Sequence, residues 1–306
     1  MDPIVIDRLT RRTILLGLSG TVWTAACSPA QQGEAVDETV PKAALTDPIV
    51  DIEDATGGKI GVAAVNLASG QRFEHRGEDR HAMCSTFKWV LAGLVLYRAD
   101  RGEESLNRTI LIEPDAVLPY APVTGPGVGT TMAIDALCRA AVVSSDNTAA
   151  NLLLDTMGGP RGFTSSLRGL GDTVTRLDRS EPALNENADD DPRDTTTPLA
   201  MLALMEAFLF GDTLSEKARQ RLRGWMQEST TGLRRLRAGL PRDWIAGDKT
   251  GTSLNDQTNN VAFAIDPTGA TGPLLVVSFM NVPEPTADER DFAHAAIARG
   301  LSDRLR

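Results

Sequence analysis

The chain has 306 residues, 42% hydrophobic and 24% charged, which is enough to build a sizeable core in one large domain or two smaller ones. A formal net charge of −10 and a pI near 4.9 argue against nucleic acid or an anionic membrane surface as the main partner. A small anionic substrate remains compatible with that balance, provided local cations hold it.

The first stretch reads as a targeting segment and stands outside the fold. Arg8, Arg11 and Arg12 precede an apolar run, Ile14 to Ala26, that is too short to span a bilayer comfortably. Thr10-Arg11-Arg12-Thr13-Ile14-Leu15-Leu16 resembles a twin-arginine export signal, which a receptor reads as an address. Thr24-Ala25-Ala26-Cys27 resembles a degenerate lipoprotein box, with Thr24 where a leucine is usual, so Cys27 is a candidate lipid anchor. Cleavage nearby with soluble release is the alternative. Residues 1–27 are thus expected to be an export signal, and the polar residues 28–42 a linker.

Beyond the linker, Asp47 to Ala55 suggests a short helix, and Lys59 to Leu67 with Gln71 to His75 a hairpin turning at Ser69-Gly70. Phe87, Val90, Leu91, Leu94 and Val95 follow a helical period that runs to about Asp100 and stops before Gly102. Thr109 to Ile112 is a short strand, followed by an irregular Pro/Gly-rich stretch around Tyr120. Helices are expected at Met132 to Val143, Thr148 to Met157 and Pro160 to Leu170, with Ser144 to Asn147 breaking the first two and Asp146 as a cap. Asp178 to Thr196 is acidic, lacks apolar periodicity, and is longer than a typical connection, as functional loops often are. Pro198 to Phe210 and Ser215 to Glu228 read as amphipathic helices. Strands are expected at Trp244 to Gly247, Val261 to Ile265 and Leu274 to Phe279, joined through Gly251 to Asn260 and Asp266 to Gly272, with a last helix from about Ala287 to Leu305.

Strands at both ends and helices between them predict an α/β (α+β) fold: an antiparallel sheet formed by both chain ends and flanked by helices, plus an inserted all-helical domain. The boundaries are 43–80 and 228–306 for the α/β domain and 81–227 for the helical domain. His75, His81 and His294 show no ligand spacing, and Cys84 and Cys138 alone make no metal cluster, so no metal is expected.

The chemistry gathers at Ser85-Thr86-Phe87-Lys88. A serine and a lysine three apart share one helix face. Free backbone N–H groups at the first turn favour negative charge, and a lysine ammonium beside a hydroxyl can lower the cost of removing its proton, or shed its own proton when partly desolvated. Alone, such a pair is common on solvated helix faces. Here Ser145-Asp146-Asn147, Glu181-Pro182-Ala183-Leu184-Asn185 and Lys249-Thr250-Gly251 follow in order. The ordered set resembles the class A serine β-lactamases of the penicillin-recognising enzyme superfamily, over roughly residues 43–306.

The resemblance implies that Ser85 attacks the β-lactam carbonyl, with Lys88 and Glu181 handling its proton, and that Glu181 with Asn185 activates the deacylating water. It implies that Ser145 relays a proton to the leaving nitrogen and that Asn147 holds the acylamide chain. Lys249, Thr250, Gly251 and Thr252 would line the carboxylate end, with the N–H groups of Ser85 and Thr252 as oxyanion hole. Tyr120 would wall the cleft mouth, and Arg179 with Asp194 would close the loop carrying Glu181. A β-lactam is the implied small-molecule partner and a monomer the expected state.

Two departures stand out. No arginine lies near Asn259, where many relatives carry one facing the substrate; Arg235 resembles the replacement of another branch, including carbapenem-hydrolysing members. Cys84 resembles the cysteine that pairs in those members two residues beyond Lys-Thr-Gly, but Ser253 stands there, which puts carbapenem hydrolysis in doubt. Cys138 also lies at a pairing position of some relatives, where the partner position is Ala92, so both thiols are expected to be free unless they pair with each other. A D-alanyl-D-alanine peptidase or esterase of the same fold, and a penicillin sensor that stays acylated, are the rival readings. Glu181 and Asn185 speak against both.

Overall fold

The computed structural model describes residues 43–306 apart from 187, 189, 254–256 and 284, so the export signal, Cys27 and the linker lie outside the described residues. In chain order the elements are α1 (Ala43–Thr56), β1 (Lys59–Asn66), β2 (Arg72–His75), β3 (His81–Ala82), α2 (Phe87–Asp100), β4 (Thr109–Leu111), β5 (Thr131–Ala133), α3 (Ile134–Val143), α4 (Asn147–Asp155), α5 (Gly159–Gly169), β6 (Thr195–Thr196), α6 (Pro198–Met205), α7 (Glu216–Gln227), α8 (Leu236–Gly239), β7 (Ile245–Thr252), β8 (Gln257–Ile265), β9 (Leu274–Asn281) and α9 (Ala287–Leu305).

Five strands form one antiparallel sheet in the order β2-β1-β9-β8-β7. The first hairpin and the last three strands therefore meet through β1 and β9, as the expected closure by both chain ends requires. Successive side chains of a strand point to opposite faces, and both faces of this sheet are covered. Ala63, Val65, Val261, Phe263, Leu275, Val277 and Phe279 face one apolar cluster, shared with α2 to α7. Ile60, Val62, Ala64, Ala262, Ala264, Leu274, Val276 and Met280 face the other, against α8, α9 and Ile49. Two-sided burial is why these strands read as almost continuous apolar runs.

Helix α2 lies in the larger cluster with every residue from Phe87 to Leu96 buried, including Lys88. A helix buried all round shows no clean amphipathic stripe, so the apolar period at Phe87, Val90, Leu91, Leu94 and Val95 marked only part of its buried surface.

Some expectations need correction. Ser85 stands not on the first α-helical turn but on a 3-10 turn, Cys84–Thr86, that runs into α2. Met132 belongs to β5, paired with Ile110, and α3 starts two residues later. The helix expected over Pro198 to Phe210 ends as α-helix at Met205, continues as a π-helical turn to Phe210, and is buried on most sides rather than amphipathic. Gly251, Thr252 and Gln257 to Asn260 are strand rather than connection. Asn259 and Asn260 resemble turn residues in sequence, yet each finds partners in the sheet. Asn259 Nδ2 donates to the carbonyls of Ala82 (2.7 Å) and Met83 (3.2 Å), and Asn260 Nδ2 to Asp248 Oδ2 (2.9 Å).

Helix α9 allows a test of the smaller core. Leu301→Ala, at a fully buried site, is expected to cost about 2–5 kcal/mol in urea unfolding, whereas Phe292→Ala, 70% exposed, should change it by less than about 0.5 kcal/mol. Histidine burial sets an acid limit. His81 is held neutral, its pKa lowered from 6.5 to about 4 mainly by desolvation, and burial with nearby Arg235 pushes His294 well below its ordinary value. Between pH 6.5 and about 4 the unfolded chain takes up a proton at His81 that the native state refuses, so stability falls as pH falls. His81→Gln should remove about 1.4 kcal/mol per pH unit of that slope, read from urea midpoints across the window.

Candidate active site

The 3-10 turn presents Ser85 at the foot of α2, and Lys88 follows one turn later with Nζ 2.9 Å from Ser85 Oγ. Cys84 adopts a left-handed backbone with φ of 46° immediately before the nucleophile. Lys88 is fully buried, and its ammonium donates to the Ser145 carbonyl at 2.9 Å and to Asn147 Oδ1, with Glu181 Oε1 at 2.8 Å. Burial lowers the Lys88 pKa, and Glu181 opposes that shift. Glu181 Oε1 also accepts from Ser85 Oγ at 3.2 Å. Ser85 Oγ therefore stands between a carboxylate that accepts its proton and an ammonium that donates to it.

Helix α4 is the scaffold for much of this. Asp146 caps it, accepting from Ala149 N at 2.9 Å, as its sequence position predicts. Its two oxygens also take the N–H groups of Val123 and Thr124 (both 2.9 Å) and the Thr124 hydroxyl (2.7 Å), fixing the segment after Tyr120. Asn147 N donates to the Tyr120 carbonyl at 3.0 Å, and Tyr120 is half exposed. Ser145 takes a left-handed backbone, φ 57°, at the corner between α3 and α4. Its hydroxyl accepts from Lys249 Nζ at 3.0 Å and lies 3.5 Å from Lys88 Nζ.

Asn151 was not singled out from sequence. Its side chain clamps the Glu181 main chain at both ends, accepting from Glu181 N at 3.0 Å and donating to Glu181 O at 2.9 Å. The available signal was spacing: Asn147 and Asn151 lie four apart, one turn of the same helix face.

The acidic stretch from Asp178 to Thr196 is an ordered loop in its described residues. Buried Asp194 accepts from Arg179 Nε at 2.6 Å and from the N–H groups of Asp178 (2.7 Å) and Arg179 (2.9 Å). Arg179 also donates to the Glu186 carbonyl at 3.0 Å. Within this closure Asn185 donates to Glu181 Oε2 at 2.6 Å, while its buried Oδ1 has no partner among the described residues.

Strand β7 forms the opposite wall at the sheet edge. A side chain at Gly251 would press within 2.7 Å of Met83 O and 3.2 Å of Ser85 N, so glycine is what lets the strand pass against the nucleophile turn. Lys249 is fully buried and donates to Ser145 Oγ and to the Thr250 carbonyl (2.8 Å); desolvation first, then Lys88, drives its pKa well down. Behind it lies buried Asp248, raised by desolvation and tied to Asn260 and Arg237. Arg235 reaches the site from the segment before α8. It donates to the carbonyls of Gly251 (3.0 Å) and Asn259 (2.9 Å), to Thr252 Oγ1 (2.9 Å) and to Asp291 Oδ1 (2.8 Å). Cys84 and Cys138 are both free and buried, and burial, with Glu181 adding to it, pushes the Cys84 thiol up to about 12. No group of His, Cys, Asp and Glu able to hold a metal occurs among the described residues.

Hydrogen bonds and close approaches thus draw Ser85, Lys88, Ser145, Asn147, Glu181, Asn185, Lys249, Thr250, Gly251, Thr252 and Arg235 together where the helices meet the β7 edge, and Tyr120 joins them through its carbonyl. A serine with buried lysine and carboxylate neighbours, set against a glycine strand edge, is the equipment of an acyl-transfer enzyme. A sequence model of the Beta-lactamase enzyme family matches residues 44–305. Beta-lactamase AST-1 of Nocardia asteroides is 38% identical over 302 residues, 97% of each chain. Beta-lactamase L2 of Stenotrophomonas maltophilia is 41% identical over 254 residues, 83% of each chain. Among solved structures, an ancestral (GNCA) class A beta-lactamase aligns with a TM-score of 0.82 at 46% identity, over 85% of this chain and 99% of that one. A beta lactamase from Xanthomonas campestris gives 0.83 at 44% identity, over 87% and 98%. The chain belongs to the beta-lactamase enzyme family, as a class A serine enzyme.

The Arg179–Asp194 closure gives a prediction. Asp194→Ala leaves a largely buried guanidinium and two N–H groups without their acceptor, so unfolding free energy should drop by about 3 kcal/mol. Displacing Glu181 by about an angstrom should also lower turnover on the order of a hundredfold. Urea titration and steady-state hydrolysis of a penicillin measure the two effects separately.

Proposed function

We propose that this β-lactamase opens the amide of penicillins and cephalosporins through an acyl-enzyme on Ser85, with Glu181 acting in both halves of the reaction. The observation that carries the reading is the position of one carboxylate. Oε1 of Glu181 lies within reach of Ser85 Oγ and Lys88 Nζ, while Oε2 faces Asn185. Ser85 Oγ attacks the ring carbonyl as its proton passes to the Lys88–Glu181 pair. Charge developing on the carbonyl oxygen is met by the N–H groups of Ser85 and Thr252. Ser145, supplied by the two buried lysines, protonates the departing ring nitrogen. Asn185 Oδ1 and Glu181 then hold and deprotonate the water that releases the acyl group. Thr250, Thr252 and Arg235 receive the substrate carboxylate, Asn147 the acylamide, and Tyr120 the open flank. Neither metal nor organic cofactor enters this scheme.

A peptidase or a sensor on the same fold would share Ser85, Lys88, Ser145 and Lys249. The paired Glu181 and Asn185 favour rapid release of the acyl group instead. Export by a twin-arginine signal, ending either in a lipid anchor at Cys27 or in soluble release after cleavage nearby, and a monomeric state complete the proposal. The first two rest on the sequence pattern of residues 1–27.

Intact mass followed over time with benzylpenicillin tests the assignment. The wild type should show a fleeting adduct while the drug gains one water over many turnovers. Glu181→Ala should accumulate a lasting one-to-one adduct with turnover collapsed. Unchanged steady-state turnover in that variant would remove Glu181 from its assigned role.

A further inference from the structure

The carboxylate end of the cleft contains a hydroxyl that the scheme above does not use. Thr231, exposed in the segment leading to Arg235, places Oγ1 2.7 Å from Thr250 Oγ1, and Ser229 Oγ lies 3.5 Å behind it. A threonine hydroxyl has one proton to give and lone pairs to accept with. Arg235 can only donate, so its contact to Thr252 Oγ1 fills an acceptor site of that hydroxyl and leaves the Thr252 proton free to point elsewhere. Thr250 has the same problem of polarity, and no arginine among the described residues contacts its hydroxyl to solve it.

We propose that Thr231 is a positioning residue for substrate recognition, donating to Thr250 Oγ1 so that the Thr250 proton is aimed at the carboxylate of the β-lactam. This rests on the reading of Ser85-dependent hydrolysis given above. A carboxylate only accepts hydrogen bonds, so its arrival sets one direction along the row: Ser229 to Thr231, Thr231 to Thr250, Thr250 to substrate. Hydrogen bonds aligned in one direction polarise one another, which strengthens the terminal donor. The Thr250 main chain is held independently, since its carbonyl accepts from Lys249 Nζ at 2.8 Å. Losing the Thr231 hydroxyl therefore frees the Thr250 rotor without moving its strand. Arg235 and Thr231 reach the same end by different donors, and Thr252 and Thr250 become two hydroxyls with their protons turned the same way.

Thr231→Val removes the hydroxyl at nearly constant shape, and Thr231→Ser keeps it. For benzylpenicillin, Thr231→Val is expected to lower kcat/KM about fivefold, the size of one ordinary hydrogen bond, mainly through KM with kcat nearly unchanged. Thr231→Ser should restore the wild-type KM. With benzylpenicillin methyl ester, which has no ring carboxylate, Thr231→Val should change kcat/KM by less than twofold. In a Thr250→Val background, where the oriented proton is gone, Thr231→Val should have no further effect. An unchanged KM for benzylpenicillin in Thr231→Val, an equal loss with the ester, or full additivity with Thr250→Val would overturn the proposal while leaving Ser85-dependent hydrolysis intact. A wild-type protein that is neither acylated nor active would overturn both.

Discussion

The active site depends on a cation held out of water. Lys88 lies on a helix buried all round, and an ammonium there must be met on every side by acceptors or lose its charge. Ser85 Oγ, the Ser145 carbonyl, Asn147 Oδ1 and Glu181 Oε1 supply those contacts, and they come from three different stretches of chain. Satisfying the lysine therefore brings the nucleophile, the left-handed corner at Ser145, helix α4 and the acidic loop to one point. What stabilises the buried charge also assembles the site. Its lowered pKa expresses the same balance, with desolvation pressing against the attraction of Glu181.

A second buried lysine makes that balance tighter. Lys249 is as deeply covered as Lys88, and one hydroxyl, Ser145 Oγ, lies between the two ammonium groups at 3.0 and 3.5 Å. Their mutual repulsion lowers the Lys249 pKa further, while Asp248 and Glu181 on either side raise it. A hydroxyl held between two cations with depressed pKa values can take and pass on a proton with little rearrangement. That is the property needed where the leaving nitrogen must be protonated.

Much of this was legible in the sequence because the chemistry requires particular side chains at fixed offsets. Ser85 and Lys88 needed only a helical turn, and Asp146 needed only to precede a helix. The pairing of Arg179 with Asp194 came through the family resemblance, and the 2.6 Å contact realises it. The elements misread share a physical cause: burial on both sides removes the periodicity that pattern reading uses. Helix α6 and strand β8 are covered nearly all round. In β8, the polar pair Asn259 and Asn260 looked like a turn because its partners, Ala82 and Met83 for one and Asp248 for the other, are distant in sequence. Asn151 and Thr231 escaped notice for a related reason. Each acts on another site residue, so its role depends on three-dimensional neighbours.

Helix α4 shows how few elements are needed to fix so many groups. Its cap, Asp146, holds the segment after Tyr120 through Val123 and Thr124. Its first residue, Asn147, reaches Lys88 with the side chain and Tyr120 with the backbone. One turn on, Asn151 grips the main chain of Glu181 from both sides. Nine residues of helix thus set Tyr120, Lys88 and Glu181 relative to one another. A rigid element performs this better than three independent loops would, since a helical turn fixes the offset between Asn147 and Asn151 and with it the distance from Lys88 to Glu181. The acidic loop can then be long and polar, because Glu181 is positioned from outside the loop as well as by the loop's own Arg179–Asp194 closure.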